Sequence, residues 1–382
     1  MTSVAGRSAE TATRDLRRAR LEVTRFGLDL TGLTVLTEAA SGPYLATPVL
    51  AALAGAERVI AVTRDSRWAT AAEVAAATHA LANEAGVGDR LQVVTAVDAA
   101  LAGAADVVTN TGFVRPIDAR LVAWLRTTAA VALMFEPWEG RDGEVDLDAC
   151  RARGVVVLGT NEHEPPCDMR PYTAALAVRL LFDVGVEVAG SRVLVLGGQA
   201  LLGRPMADVL RAMSAEVVAF ASSREASPDE GVQAYGDLGP ADIEALDAVV
   251  VADHQERTLL LGPGGLVDPA ALAVASPGVA VALVCGAVDG EALARSGIAH
   301  APDWRRLQPH GTMHASPAIL GPGPVLHLYA AGLAVGAAAA RARRAGASPE
   351  EAERLALATS PGLPISPSLP ISPALPLGGD KP

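Results

Sequence analysis

His163 stands between Glu162 and Glu164 in the run Thr160-Asn161-Glu162-His163-Glu164-Pro165-Pro166-Cys167-Asp168-Met169-Arg170. An imidazole with an acid on either side is suited to moving a proton, because the carboxylates favour its charged form. The two prolines would stiffen the loop that holds it. A solvated, charge-rich surface loop has the same composition, so both readings stay open. Farther along, Gly197-Gly198-Gln199-Ala200-Leu201-Leu202-Gly203 follows a β-branched run, Arg192 to Leu196, and opens a stretch with helical spacing, Pro205 to Met213. A second apolar run, Glu216 to Phe220, completes a strand, turn, helix, strand unit. Bare backbone N–H groups at a helix N-terminus, together with the helix dipole, suit a pyrophosphate. Gly198 would make the tight turn and Gly203 would let the helix pack on the strand. The middle glycine of the G-x-G-x-x-G pattern is Ala200, whose methyl group stands where phosphates approach. Gln199, Leu201 and Leu202 complete the candidate cradle.

Where an NAD enzyme places a ribose-binding carboxylate, this chain has Ser222, Ser223 and Arg224. Hydroxyls followed by a guanidinium suit a 2′-phosphate, which an acid would repel. NADP is therefore the expected cofactor, with NAD possible. The alternative is a solvated turn.

Two further loops carry candidate binding groups. The turn Thr37-Glu38-Ala39-Ala40-Ser41-Gly42-Pro43-Tyr44 is either an anion cradle using Ser41 and Tyr44, or a helix cap by Ser41 with Pro43 in the first turn. In Thr109-Asn110-Thr111-Gly112-Phe113-Val114-Arg115, the arginine could bind a carboxylate or phosphate, or be merely solvated. There is no H-E-x-x-H and no paired cysteine spacing, so no metal site is expected.

The elements that must position these loops alternate in the α/β manner. Strands are expected at 33–37, 58–63, 91–95, 106–109, 129–134 and 155–158, with helices at 44–53, 70–85, 118–125 and 147–153. Pro171 to Gly185 reads as a bridging helix. The second sheet continues with Ala248 to Ala252, Ala280 to Cys285 and a short strand near Ile298, and an Ala-rich helix, Val325 to Arg344, returns to the first domain. Apolar strands joined by helices imply parallel sheets covered on both faces. The chain has 382 residues, half of them apolar, which is enough for two cores. A net charge of -12 argues against nucleic acid, and no apolar run in the sequence suggests a membrane span. Cys150, Cys167 and Cys285 are widely spaced, as thiols in a reducing cytoplasm would be.

Val145 to Gly203, and more loosely Leu246 to Leu293, resembles the D-2-hydroxyacid dehydrogenase family. The segments that carry the resemblance are VDLDACRARGVVVLGTN, the bridging helix, the glycine turn, LDAVVVADHQERT and VCGAVDGEAL. The resemblance implies an α/β fold of two doubly wound parallel-sheet domains, a Rossmann domain inserted in a flavodoxin-like substrate domain. The expected boundaries are an N-terminal helical segment over 1–30, a substrate domain over 31–185 plus 322–345, a Rossmann domain over 186–310, and a disordered Pro-rich tail over 360–382. It also places a general-acid histidine at His310, in Pro-His-Gly, with His314 next to it.

Two family positions are altered in a way that redirects substrate choice. The arginine that holds the substrate carboxylate falls at Cys285, and the carboxylate-binding glycine loop falls at Phe135-Glu136-Pro137-Trp138-Glu139. The binding region has lost a cation and gained anions, which disfavours a simple keto acid. The expectation is an NADP-dependent oxidoreductase for a small amine-bearing or polyhydroxylated substrate, bound in a cleft between the domains of a homodimer. His310, His163, Glu136 and Glu164 would be catalytic. Ser41, Tyr44, Arg115, Trp138, Asn161, Arg170 and His314 would contact substrate. A non-redox lyase or cyclase on the same scaffold, or an inactive nucleotide-binding protein, are the alternatives.

Overall fold

The computed structural model describes residues 9–137, 143–308 and 312–365. Trp138 and His310 lie outside the described residues, as does most of the Pro-rich segment. The chain divides into two compact units, 1–168 with 321–382, and 169–320.

In unit 1, α1 (Ala9–Arg25) precedes six strands: β1 (Thr34–Glu38), β2 (Arg58–Val62), β3 (Leu91–Val94), β4 (Val107–Thr109), β5 (Ala130–Ala132) and β6 (Val156–Thr160). The helices between them are α2 (Thr47–Leu53), α3 (Ala71–Glu84), α4 (Ala99–Ala104), α5 (Ala119–Trp124) and α6 (Leu147–Arg153). The helices start where the sequence supplies an oxygen for the unpaired first-turn N–H groups. Thr70 and Glu73 form a capping box on α3, and Asp98, Asp118 and Asp146 cap α4, α5 and α6.

Unit 2 begins with α7 (Arg170–Asp183) and carries β7 (Arg192–Leu196), α8 (Gly203–Ala212), β8 (Glu216–Ala221), β9 (Val232–Ala234), β10 (Ala248–Ala252), α9 (Pro269–Ala275), β11 (Ala280–Cys285), α10 (Gly290–Ser296) and β12 (Ala299–Ala301). The chain then returns to unit 1 as α11 (Pro322–Arg344), α12 (Pro349–Thr359) and β13 (Gly362–Pro364). By length and apolarity α11 could span a membrane, but most of it is buried within the protein. Leu326, Tyr329, Ala330 and Leu333 on this helix join Leu33, Val35, Leu50 and Val107 in one core.

The sheet of unit 2 runs β12-β11-β10-β7-β8-β9, all parallel. Counted within the unit, that is the doubly wound order 3-2-1-4-5-6. The sheet of unit 1 runs β13-β6-β5-β4-β1-β2-β3, which is the same order with one antiparallel strand added beside β6. The class is thus the expected doubly wound α/β. Within unit 1 the order differs from the flavodoxin order 2-1-3-4-5, and the reversal of direction falls between β1 and β4.

Several boundaries move from those read in the sequence. The N-terminal helix is no separate segment, since Leu16 and Ala19 pack into the core of unit 1. The bridging helix belongs to unit 2, because Leu176, Ala177, Leu180 and Leu181 share a core with Val193, Leu202 and Met206. Unit 2 runs on to Leu320 rather than ending at 310. The stretch assigned to the tail starts as structure. Gly362–Pro364 pairs with Leu158–Thr160, and the Asn161 N–H donates to the Pro361 carbonyl at 2.9 Å.

Candidate functional site

The glycine turn of unit 2 is closed by contacts that only glycine permits. Gly197 has φ +142, and a Cβ there would meet the Ala252 carbonyl oxygen at 2.4 Å. At Gly203 a Cβ would lie 2.0 Å from the Gly197 carbonyl oxygen, so the first turn of α8 rests directly on the end of β7. Ala200 is exposed on the outside of the turn, while Leu201 and Leu202 are buried. With both side chains buried, Leu202 in the core of this unit, the two leucines have only backbone to offer a ligand. Thr173 on α7 fixes the turn from behind by donating its hydroxyl to the Leu201 carbonyl at 2.6 Å.

Asp253, just past β10, organises the same turn. Its buried carboxylate accepts the Gln199 amide N–H at 3.0 Å and the Tyr235 hydroxyl at 2.8 Å. It also accepts the backbone N–H groups of Gln255 at 3.1 Å and Glu256 at 3.0 Å. Burial and the neighbouring carboxylate push the Tyr235 hydroxyl pKa upward, so it remains a donor to Asp253. The Gln199 Oε1 atom is buried without a hydrogen-bond partner. An acceptor held in a phosphate-type turn is placed to meet a ligand hydroxyl.

Beyond β8, Arg224 is 80% exposed, lies 4.0 Å from the Glu225 carboxylate through Nε, and donates to the Gln255 side chain at 3.2 Å through Nη2. Ser223 is exposed and Ser222 half-buried beside it. A second guanidinium, which the sequence did not single out, reaches the same corner. Arg204 donates to the Gly198 carbonyl at 2.8 Å and the Glu225 carbonyl at 3.3 Å, and ion-pairs with Glu230.

His314 is engaged elsewhere. Its Nδ1 accepts the Gln308 N–H at 2.9 Å, so Nε2 carries the proton and donates to the Gly286 carbonyl at 2.8 Å. Both nitrogens are used inside unit 2, which corrects its assignment to substrate. Burial lowers its pKa below the usual 6.5. The unfolded chain therefore binds a proton that the folded one refuses as pH falls below about 6.5. Stability is expected to be flat above that pH and to fall below it, by no more than about 1.4 kcal/mol per pH unit from this group. Urea titrations at several pH values check this: in His314→Gln the slope just below pH 6.5 should flatten, and an unchanged slope would count against it.

In unit 1 the strand ends bring other groups together. Glu136, buried after β5, places Oε1 at 3.5 Å from His163 Nε2, and the same oxygen accepts the Glu162 N–H at 3.2 Å. The imidazole is 45% exposed, so it has one flank on a buried carboxylate and one open to a ligand. Glu164 is exposed, and the Asn161 side chain accepts the His163 N–H at 3.2 Å, shaping the loop. Arg115 is ion-paired with Glu144, which corrects the reading of a solvated or waiting cation. Ser41 is half-buried and makes no side-chain cap, and the helix expected from Tyr44 is a short 3-10 turn followed by α2. Tyr44 is half-buried in that turn, and Arg170 is exposed at the start of α7 in unit 2. Cys285 is buried at the end of β11. Among the described residues no group of three or more His, Cys, Asp or Glu could hold a metal ion.

Two residues that lie in the candidate loops but were given no role from the sequence stand at the end of β1 and just past β4. Glu38 is buried and accepts the Phe113 N–H at 3.0 Å. Desolvation raises its pKa above the usual carboxylate value, against the backbone N–H groups of Phe113 and Gly112 and the charge of Arg115. Asn110 accepts the Met134 N–H through Oδ1 at 2.9 Å.

No protein-family model matches the chain. Over 152 residues it is 32% identical to the bifunctional protein FolD of Sorangium cellulosum (strain So ce56), a match that covers 38% of this chain and 48% of that protein. The chain thus spans about half the length of the curated relative it matches. Among solved structures, a dipicolinate synthase subunit from Bacillus halodurans superposes with a TM-score of 0.51 at 13% identity, over 79% of this chain and 96% of that one. That likeness is one of fold. A D-isomer specific 2-hydroxyacid dehydrogenase from Lactobacillus delbrueckii ssp. bulgaricus aligns over 83% of this chain and 99% of its own, at 12% identity and a TM-score of 0.41, too loosely to argue from. Fold and topology together define an α/β protein of two doubly wound, mainly parallel sheets.

Proposed function

We propose that the chain is a nicotinamide dinucleotide-dependent oxidoreductase that prefers NADP and acts on a small polar substrate bearing an amine or several hydroxyls. The observation that carries this reading is the glycine turn at the centre of a 3-2-1-4-5-6 parallel sheet, where doubly wound proteins hold dinucleotides. Its residues fit such a ligand. Gly197, Gly198 and Gly203 keep the turn tight, α8 presents its N-terminus, and Gln199 holds an unpaired acceptor. A bound dinucleotide would supply or accept the hydride.

The chain's own residues would do the rest. Ser222, Ser223 and Arg224 bind the 2′-phosphate, with Arg204 behind them. Glu136 faces His163 Nε2 and orients the ring, so the proton for a carbonyl or imine is held at Nδ1, on the open flank. Glu136 also disfavours a second carboxylate near the reacting carbon. Three buried thiols suit the cytoplasm as the place of work.

Fluorescence titration of the purified chain is expected to show NADPH binding about tenfold or more tighter than NADH, a gap of the size that one charge-assisted phosphate contact gives. Arg224→Ala should remove most of the difference. Equal affinities in the unaltered chain would sink the NADP preference, and no binding of either would sink the cofactor reading.

A further inference from the structure

Unit 1 repeats the strand order of unit 2, so it has its own reversal of winding direction, between β1 and β4. Ligands of open α/β sheets bind beyond the carboxyl ends of the strands at such a reversal. The register pairs Val35 with Val107 and Leu36 with Val108, where the ladder ends; Glu38, the last residue of β1, and Asn110, the first residue after β4, each lie two residues beyond the last pair. The loop after Asn110 folds back over Glu38. Its Oε2 accepts the Phe113 N–H, and a Cβ on Gly112 would lie 3.1 Å from the same oxygen.

Among the described residues Asn110 is one of several with a buried polar atom left unpaired, with Thr63 just past β2 and Thr160 at the end of β6 in the same sheet. Asn110 is 2% exposed, its Oδ1 is fixed on the Met134 N–H, and its Nδ2 is buried with no hydrogen-bond partner. An amide whose acceptor is pinned cannot flip to satisfy its donor. An orphaned buried donor costs about 1 to 3 kcal/mol, a cost that a structural asparagine would have no reason to carry. One residue earlier the strand ends are fully tied: Tyr329 and Thr109 both donate to the Thr37 hydroxyl at 2.9 Å, and Thr109 bonds Thr111 at 3.0 Å. The unsatisfied donor and the Glu38 carboxyl group thus both stand at the ligand end of this strand pair, joined by the loop from Asn110 to Phe113.

We propose that Glu38 and Asn110 form a binding subsite for adjacent amine and hydroxyl groups of a substrate, in effect a vicinal amino alcohol. The Asn110 Nδ2 donates to the substrate oxygen, and the Glu38 carboxyl accepts from the amine. A simple keto acid offers Glu38 only acceptors and is rejected there. The subsite deepens the proposed function by naming the substrate class.

The experiment uses the full chain with 1-amino-2-propanol, propane-1,2-diol and glyoxylate as probes, with and without NADPH, read by calorimetry and thermal shift. The amino alcohol is expected to bind best and glyoxylate least. Asn110→Ser removes the Nδ2 donor without adding a charge that would itself attract the amine, and Glu38→Gln exchanges the carboxyl group for a neutral amide. Each should weaken the amino alcohol about tenfold, with NADPH affinity unchanged. Because burial disfavours the Glu38 charge, Glu38→Gln should be no less stable than the parent near neutral pH, which keeps the test readable. The subsite is overturned if the amino alcohol fails to bind the unaltered chain, or binds these variants as tightly. Failure of NADPH to bind, alongside Asn110-dependent binding of the amino alcohol, would remove the cofactor reading and support the subsite.

Discussion

Gly203→Ala is expected to abolish dinucleotide binding and to destabilise the chain by about 2 kcal/mol. The added methyl group would lie 2.0 Å from the Gly197 carbonyl oxygen, 2.3 Å from its carbon and 3.0 Å from the Gly198 nitrogen. All three are backbone atoms of the turn itself, so no side chain can swing aside. Relief requires α8 to lift from β7, which carries the helix N-terminus away from the place where a pyrophosphate would sit. Urea unfolding gives the stability and NADPH titration the affinity. A variant with parental values of both would show that the turn has more freedom than its contacts allow.

Asp253→Ala is expected to cost about 2 to 4 kcal/mol, since a neutral donor left without its acceptor away from water costs about 1 to 3 kcal/mol. Four donors lose their acceptor at once: the Gln199 amide, the Tyr235 hydroxyl and the backbone N–H groups of Gln255 and Glu256. Gln199 would be left as a buried donor and Tyr235 as a half-buried one, which is the larger part of the cost. Asp253→Asn should lose less, since one oxygen remains. The same denaturation series tests both. An alanine variant within about 0.5 kcal/mol of the parent, the range of an ordinary surface change, would mean that water replaces the carboxylate.

The parts of this fold that could be read from the sequence are those set by local periodicity. The β-branched runs at 34–38, 58–62 and 192–196 became strands close to their expected limits, and the glycines after Leu196 lie in a turn that allows no Cβ. Strand order is not local, and nothing in Thr34–Glu38 announces which neighbour it will take. That is why Glu38 and Asn110 were given no role: each is ordinary in sequence and becomes informative only once β1 and β4 are adjacent. Asp253 could not be read locally as the organiser of the turn, because its partners Gln199 and Tyr235 are 54 and 18 residues away. Gly362–Pro364 has neither alternation nor branched side chains, and its pairing comes from β6 and the Asn161 N–H. His163 and Glu136 were both named, but on separate grounds, and their 3.5 Å approach follows from β5 and β6 lying side by side.

The interrupted course of unit 1 sets an order for its folding as the ribosome releases it. Unit 2 is one continuous stretch, 169–320, and every strand of its sheet is in hand when that stretch has emerged. Unit 1 must wait, because Leu326, Tyr329, Ala330 and Leu333 fill its core from α11, on the far side of that stretch. At about 5 to 20 residues per second, the 152 residues between 169 and 320 keep the earlier sheet without its central helix for roughly ten to thirty seconds. During that interval the apolar face awaiting α11 is open to other chains, and the first-made half of the protein is the last to become safe from aggregation.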